Sequence, residues 1–499
     1  MTSFQVEEKI MNSRSAVLCF IIFLCFFTGC EREPKLNILL ITADTLRSDH
    51  LSCYGYERQT SPHIDELASR SVQFMDASTP VNLTNPSHVS IFTAKYPKDH
   101  GIYTNWSTLN KEHVTLSEIL KKQGYKTAAL VSTNHLNADI SGLGRGFDFY
   151  RNIQKPEAKA DETVKDALGW IKRNGKERFF VWIHLFDPHL PYNPPPPYDK
   201  IFDPKYDGWG KIFFDVYNQK FSAHEFASNR TLAPFQLETL ARAAQGRLLN
   251  SDIFSNKIGL TERDVEYARS MYDGEIRFMD EEIGLLFKEM GNLGLSSNTI
   301  IIFTADHGES LGEHGIYCDH KGLYEDTIKV PLIIYVPGKA PRKIGSAVSN
   351  MDILPTLLDM LHISVSSDIK VAFDGKSLFP LMQGETLEIR DKFFLEQKNN
   401  LAKSIKSHGY KYIMPIPGNF VHFPNDYIHH EELYNLRSDP GEKINLMTNV
   451  NPQDTPYESL KESLKAWAEK SWIVKRDTKA LENLNQEQRD RLKALGYIN

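Results

Sequence analysis

The chain has 499 residues, 41% hydrophobic and 24% charged, with a formal net charge of −6 at pH 7. These values suit one large domain with an appendage, or two ordinary domains, and do not suit a disordered chain. A net acidic sequence with no long Lys/Arg run argues against nucleic acid as a partner, because phosphate binding needs a clustered basic surface.

Residues 16–27 read AVLCFIIFLCFF and follow Arg14. The run is shorter than the ~20 apolar residues of a membrane span and fits the apolar region of a secretory signal peptide. It closes on Thr28-Gly29-Cys30, and small residues before a cysteine at such a point resemble a bacterial lipobox. By that resemblance residues 1–30 are a lipoprotein signal peptide and Cys30 is the lipidated first residue of the mature protein. The protein would then be exported and lipid-anchored to a membrane of the bacterial cell envelope, in the periplasm or at the outer membrane. The competing reading is an uncleaved anchor, or an ordinary signal with a chance cysteine. Residues 1–10 form an acidic prefix unlike a signal peptide, which makes Met11 an alternative start. Cys19 and Cys25 also fall in the signal, so Cys53 and Cys318 remain. That pair is no disulfide framework and no metal-thiolate motif; one bridge between them is possible, and two buried free thiols are the preferred reading.

After a polar linker at 31–35, apolar runs at 36–42, 127–132, 179–184 and 299–304 predict strands buried on both faces. Helical patterns lie between them, including one opened by Thr261-Glu262-Arg263-Asp264 with a weak capping signal. This alternation predicts an α/β layered fold with a large, mostly parallel sheet and ligands at its carboxyl edge. ILLITAD ends at Asp44 and IIIFTAD at Asp306, so two aspartates stand just beyond buried strands. The Pro- and aromatic-rich segment 192–207 and the poorly patterned 220–260 read as surface excursions. Beyond about residue 390, short alternating segments such as KFFLEQ and YKYIM predict a small antiparallel subdomain. The expected division is therefore 36–389 for a catalytic domain and 390–499 for a C-terminal subdomain with a helical tail.

Thr84-Asn85-Pro86-Ser87-His88 reads as a helix start with Thr84 near its cap. A hydroxyl there faces unpaired backbone N–H groups and the positive end of the helix dipole, where a charged tetrahedral ester could be held. His88, one turn on, could orient the hydroxyl when neutral or hold an ester oxygen when protonated. Threonine needs its proton removed or its oxygen bound to a metal before it attacks. Asp44, Asp306 and His307 are suitable ligands for a divalent cation that would do this.

Six segments in order resemble the sulfatases of the alkaline-phosphatase superfamily. They are Asp44-Thr45-Leu46-Arg47-Ser48-Asp49 with Cys53-Tyr54-Gly55, the Thr84–Thr93 segment, and His184-Leu185-Phe186-Asp187-Pro188-His189. Thr304-Ala305-Asp306-His307-Gly308-Glu309, Leu323-Tyr324-Glu325 with Val330-Pro331-Leu332, and Leu433-Tyr434-Asn435-Leu436 with Asp439-Pro440 complete the set. The resemblance implies one metal on Asp44, Asp306 and His307, Ca²⁺ first, with Mn²⁺ or Zn²⁺ as alternatives. It also implies that His189 contacts the ester, together with a cationic group at His320 or Lys321. His184 reads as a strand residue that orients its neighbours, and His100 and His314 as loop residues.

The departures bear on mechanism. Thr84 replaces the Cys or Ser that is oxidised to formylglycine, so no formylglycine is expected. His88 stands at the arginine position and Thr45 at a second aspartate. Ser132-Thr133-Asn134-His135 takes the place of a Gly-Lys-Trp-His segment. The expectation is a metal-dependent hydrolase of sulfate or phosphate esters on a small molecule or glycan. Family resemblance favours sulfate; the chemistry of Thr84 leans towards phosphate. A non-catalytic glycan-binding protein and a phosphoryl-headgroup transferase are the alternatives.

Overall fold

The computed structural model describes residues 36–155, 157–218, 232–244, 256–366, 373–416, 430–449 and 455–469. The expected signal peptide with Cys30, the linker, much of 220–260 and the end of the helical tail lie outside these residues.

Strands β1 (Asn37–Ala43), β2 (Val72–Ser78), β3 (Lys126–Leu130), β4 (Phe149–Arg151), β5 (Phe179–Leu185) and β6 (Thr299–Ala305) come first. A short hairpin, β7 (Ser310–Leu311) and β8 (Tyr317–Asp319), precedes β9 (Lys329–Tyr335) and β10 (Arg342–Ser349). Apart from the hairpin these form one eight-stranded sheet in the order β10-β2-β9-β6-β1-β5-β3-β4. β9 alone runs against the rest. β1, β5 and β6 are buried at every residue, which explains why their sequences are continuously apolar rather than alternating.

Four helices matter below: α1 (Thr84–Thr93), α2 (Ala160–Asn174), α3 (Glu262–Asn292) and α4 (Tyr457–Ala468). α1 is buried along its whole length and packs Phe92 on Phe180 and Trp182 of β5. α3 opens with a reciprocal capping box between Thr261 and Asp264, a firmer start than its sequence suggests. Among the described residues no helix is long and apolar enough to cross a membrane.

A second, antiparallel sheet follows in the order β11 (Lys392–Glu396), β12 (Ala402–Ser407), β13 (Tyr410–Pro415) and β14 (Glu432–Asn435). α4 covers one face, with Tyr457, Leu460 and Leu464 on Ile405, Tyr412 and Leu433. Cys53 and Cys318 are free thiols. One surface expectation fails at its first residue. Tyr192 is fully buried, donates its hydroxyl to Glu309 Oε2 at 2.6 Å and packs edge-on to Tyr272. Pro194 is buried as well, and Tyr198 and Tyr206 pack against the core while Pro196 and Pro197 stay exposed, a split that composition averaged over the segment cannot show.

Candidate active site

Strand register assembles the site. Ala43 pairs with both Leu185 and Ala305, so Asp44 and Asp306, one residue further along, leave the sheet side by side. The Asp44 amide still bonds to the Leu185 carbonyl (2.9 Å) and the Asp306 amide reaches that of Ala43 (3.3 Å). Thr45 then turns sharply at φ 54°, a conformation unfavourable for a β-branched residue. The surroundings hold it there: its amide donates to Asp306 Oδ1 (3.1 Å) and its carbonyl accepts the Tyr272 hydroxyl (2.8 Å) from α3. Gly308 follows Asp306-His307 because its Cα lies against the Asp326 carbonyl, where no Cβ fits.

Asp44, Thr84, His184, Asp306 and His307 are all fully buried. Asp306 Oδ1 accepts the amides of Thr45 and His307. Asp306 Oδ2, both Asp44 carboxylate oxygens, Thr45 Oγ1 and His184 Nε2 have no hydrogen-bond partner among the described residues. His307 Nδ1 bonds to the Gly308 carbonyl at 3.0 Å. Its Nε2 then faces Thr84 Oγ1 (3.4 Å), Asp306 Oδ2 (3.6 Å) and Asp44 Oδ1 (3.9 Å).

Buried polar groups are normally paired, and two facing carboxylates in a dry site cannot both stay ionised unaided. Burial and the neighbouring Asp44 push the Asp306 carboxyl well above the usual range. Burial opposes ionisation of Asp44 too, but the His184, His189 and His307 imidazoles outweigh it and hold that carboxyl low. Burial lowers His307 to about 4, keeping it neutral and its lone pair available. Asp44, Asp306 and His307 offer ligand atoms within 4.8 Å of one another. The unpartnered oxygens and the neutral imidazole fit a divalent cation, which would let both carboxylates ionise.

Thr84 is the first residue of α1 rather than its cap, which is Leu83. The first-turn amides contribute less than expected for anion binding, since Asn85 N–H is taken by Asn105 Oδ1 (2.9 Å) and Pro86 has none. Of the two roles open to His88, the geometry favours the neutral, orienting one. Its Nδ1 bonds to the Thr84 carbonyl (2.7 Å) and its Nε2 to Thr42 Oγ1 (2.9 Å), which Trp182 Nε1 also approaches (3.0 Å). Burial keeps the ring neutral. With both nitrogens engaged, His88 ties the start of α1 to β1 and has no nitrogen left for an ester oxygen.

His320 lies 4.4 Å from His307 between ring centroids, and neither of its nitrogens has a hydrogen-bond partner among the described residues. His189 is 6.1 Å further on, oriented by its Nδ1 contact to the Leu190 carbonyl (2.5 Å) and by stacking on Phe186. Lys321 Nζ is 3.3 Å from Asp319 Oδ2. His100 bonds to Ser90 and the Ile102 amide, and His314 stacks on Tyr324, so neither joins this group.

Sequence reasoning missed Lys398, Asp319 and Asn82. Lys398 Nζ is 3.3 Å from Asp319 Oδ1, so Asp319 sits between two lysines, and His320 Nδ1 is 3.8 Å from the same oxygen. Asn82 fastens three segments together. Its Nδ2 donates to the carbonyls of His320 (2.6 Å) and Gly322 (2.5 Å), and its Oδ1 accepts the Lys398 amide (2.9 Å). Position two residues before Thr84 was a weak signal for Asn82; Lys398, 314 residues beyond Thr84, had none.

A family model described as Sulfatase matches residues 36–363, and one described as N-sulphoglucosamine sulphohydrolase, C-terminal, matches residues 312–470. The N-acetylglucosamine-6-O-sulfatase of Bacteroides thetaiotaomicron is 26% identical over 505 aligned positions, covering 88% of each chain. Two solved structures share the fold. One, in complex with its substrate D-glucosamine-2-N,6-O-disulfate, has a TM-score of 0.66 and 22% identity over 87% of this chain and 98% of that one. The other, the phosphonate monoester hydrolase of Agrobacterium radiobacter, has a TM-score of 0.65 and 21% identity over 87% and 96%.

Proposed function

The chain belongs to the sulfatase family of ester hydrolases, and from that premise we propose that it cleaves a sulfate ester carried by a sugar. In this reading Asp44, Asp306 and His307 hold a divalent cation, and Thr84 is the nucleophile or the group that orients the attacking water. The observation that carries it is the buried Thr84 hydroxyl, 3.4 Å from His307 Nε2, which is itself 3.6 Å from an Asp306 oxygen without a partner among the described residues. The bound cation would supply Lewis-acid stabilisation of charge on the ester oxygens.

The chain's own groups do the rest. His189 and His320 contact the remaining ester oxygens, and the Lys321 and Lys398 ammonium groups balance the substrate's negative charge. His88 fixes the first turn of α1, and with it the Thr84 oxygen, by its bond to the Thr84 carbonyl. The names of the N-acetylglucosamine-6-O-sulfatase and of the disulfated glucosamine complex support an amino-sugar sulfate as substrate.

One residue favours a second reading. Thr84 cannot become the aldehyde of formylglycine, so a sulfated threonine would have no hemiacetal route to release. A phosphate- or phosphonate-type ester avoids that difficulty, and a phosphonate monoester hydrolase shares the fold.

Purified protein supplied with divalent metal should be assayed on N-acetylglucosamine 6-sulfate, an aryl sulfate, phosphate mono- and diesters, and a phosphonate monoester. The sugar sulfate is expected to be the best substrate, with Thr84 unmodified by peptide mass. Thr84→Ala should lower kcat about 100-fold or more with little change in KM, the pattern of a group needed in the transition state. Thr84→Ser should keep part of the activity. A wild-type rate in Thr84→Ala would reduce Thr84 to a helix-start residue, and faster phosphorus-ester cleavage would establish the second reading.

A further inference from the structure

The segment that carries His189 lies beyond the end of β5, and both of its ends meet one buried pair of side chains. We propose that Glu275 of α3, together with Lys159, is a positioning residue for His189. The pair clamps the loop 187–193 at both ends and so fixes where the His189 ring stands against the ester. This rests on the reading of His189 as an ester contact, and not on which ester is cleaved.

The chain leaves β5 after Leu185, and Pro188 and Pro191 on either side of His189 have no N–H to give. The His189 amide bonds back to the Phe186 carbonyl at 2.9 Å, so the loop depends on groups outside itself. At its first end the buried Asp187 accepts the Ala160 amide through Oδ2 (2.8 Å), and its Oδ1 is 3.8 Å from Lys159 Nζ. At its far end Asn193 donates its amide to Glu275 Oε1 (2.6 Å), and its carbonyl accepts Lys159 Nζ (2.7 Å). Lys159 Nζ is also 3.2 Å from Glu275 Oε1. One ammonium and one buried carboxyl thus hold both ends, with His189 between them.

The helix is built for this contact. A Cβ on Gly274 would lie 2.7 Å from the Tyr198 carbonyl oxygen and 2.9 Å from Pro194 Cγ. A glycine therefore stands in mid-helix, at a cost of about 0.5–1 kcal/mol relative to alanine, and lets α3 approach the chain that leaves the loop. Tyr272, one turn before Glu275 on the same face, bonds to the Thr45 carbonyl and the Arg47 amide. One rigid helix thus touches both the turn after Asp44 and the loop that bears His189, and sets the distance between them.

Two carboxyls and one ammonium are neutral together when one carboxyl keeps its proton. Burial first, and then the facing Asp187, push the Glu275 carboxyl well above the usual range. The retained proton bridges Glu275 to Asp187, and Lys159 offsets the remaining negative charge, which is how a buried acid pair is tolerated. Glutamine at 275 would reproduce this state, since its amide oxygen can accept the Asn193 N–H while its amide nitrogen donates to Asp187.

The test reads the ring as well as turnover. The full chain, supplied with divalent metal and with its histidine rings isotope-labelled, gives nuclear magnetic resonances, and those missing in His189→Ala belong to His189. The same proteins are assayed for kcat/KM on N-acetylglucosamine 6-sulfate. Glu275→Ala should shift the His189 resonances and lower kcat/KM about 10-fold or more. Placed on His189→Ala it should cost little further, as for two groups that act through one contact. Glu275→Gln should restore both readouts. Should Glu275→Ala not fold, Lys159→Met, which loses the Asn193 bond from a partly exposed side chain, should shift the same resonances and lower kcat/KM. Wild-type His189 resonances in folded Glu275→Ala, or a loss of kcat/KM that adds in full to that of His189→Ala, would overturn the proposal. A wild-type rate in His189→Ala, or no cleavage of the sugar sulfate at all, would instead count against the reading of the site, and the His189 resonances would still decide whether the clamp holds the ring.

Discussion

Two parts of this protein bury carboxylates completely, and they treat them in opposite ways. At the strand ends, Asp44 and Asp306 face each other with three oxygens that lack partners among the described residues. At the join between the two sheets, Glu396 is equally buried but fully engaged. It accepts the Lys98 amide (2.8 Å), the Tyr103 hydroxyl (2.9 Å) and the ammonium of Lys403, itself fully buried. Glu396 also anchors the second sheet to the first, since its amide bonds to the Pro80 carbonyl at 2.8 Å. Burial of charge therefore does not mark function by itself. The neutralised cluster is a structural staple, and the cluster left open is the one suited to a ligand.

Removing a charge should consequently have opposite effects in the two places. Asp306→Asn is expected to lower turnover about 1000-fold. Without metal the same variant should melt no lower than wild type, because burial and Asp44 already keep the Asp306 carboxyl from ionising. What it should lose is the stabilisation by metal, about 2.7 kcal/mol at 100 times Kd, read by melting with and without the ion. A destabilised metal-free variant would mean that Asp306 is a structural group like Glu396.

Lys403→Met should be the mirror image. Stranding Glu396 without its cation should cost about 3–5 kcal/mol, measured by urea unfolding, while the extra stability conferred by metal stays as in wild type. A loss of metal response in this variant would show that the two clusters are coupled.

Lys398 stands between the two regions, two residues from Glu396 and paired with Asp319 beside His320. Lys398→Ala should lower kcat/KM for an anionic sugar ester about tenfold, or ~1.4 kcal/mol, chiefly through KM. Stability should fall by less than the ~3–5 kcal/mol of a fully stranded buried charge, because Asp319 keeps Lys321. Unchanged KM would place Lys398 with the staple rather than with the site.

Much of this was legible from the residues. The four strand runs were readable because strands buried on both faces are apolar at every position, and Asp44 and Asp306 because a charge just past such a run is conspicuous. The antiparallel C-terminal sheet was visible in its alternation. Which of its two open roles His88 takes was not legible, because helical spacing tells which face a side chain occupies and not whether its nitrogens are already bonded. The closeness of His184 to Asp44 was not legible, because it comes from strand register that the sequence does not record.

The sequence by itself therefore determined the layered α/β plan, the two metal-suited carboxylates and the threonine at a helix start. These follow from local periodicity and from residue chemistry at element ends. Tertiary structure alone decided which polar atoms were left without partners. Strand register set Asp44 beside Asp306 and His184 beside Asp44, and Asn82 drew Lys398 from the second sheet towards His320. Hydrogen-bond saturation and long-range proximity depend on how distant segments meet, and a one-dimensional pattern carries no record of that.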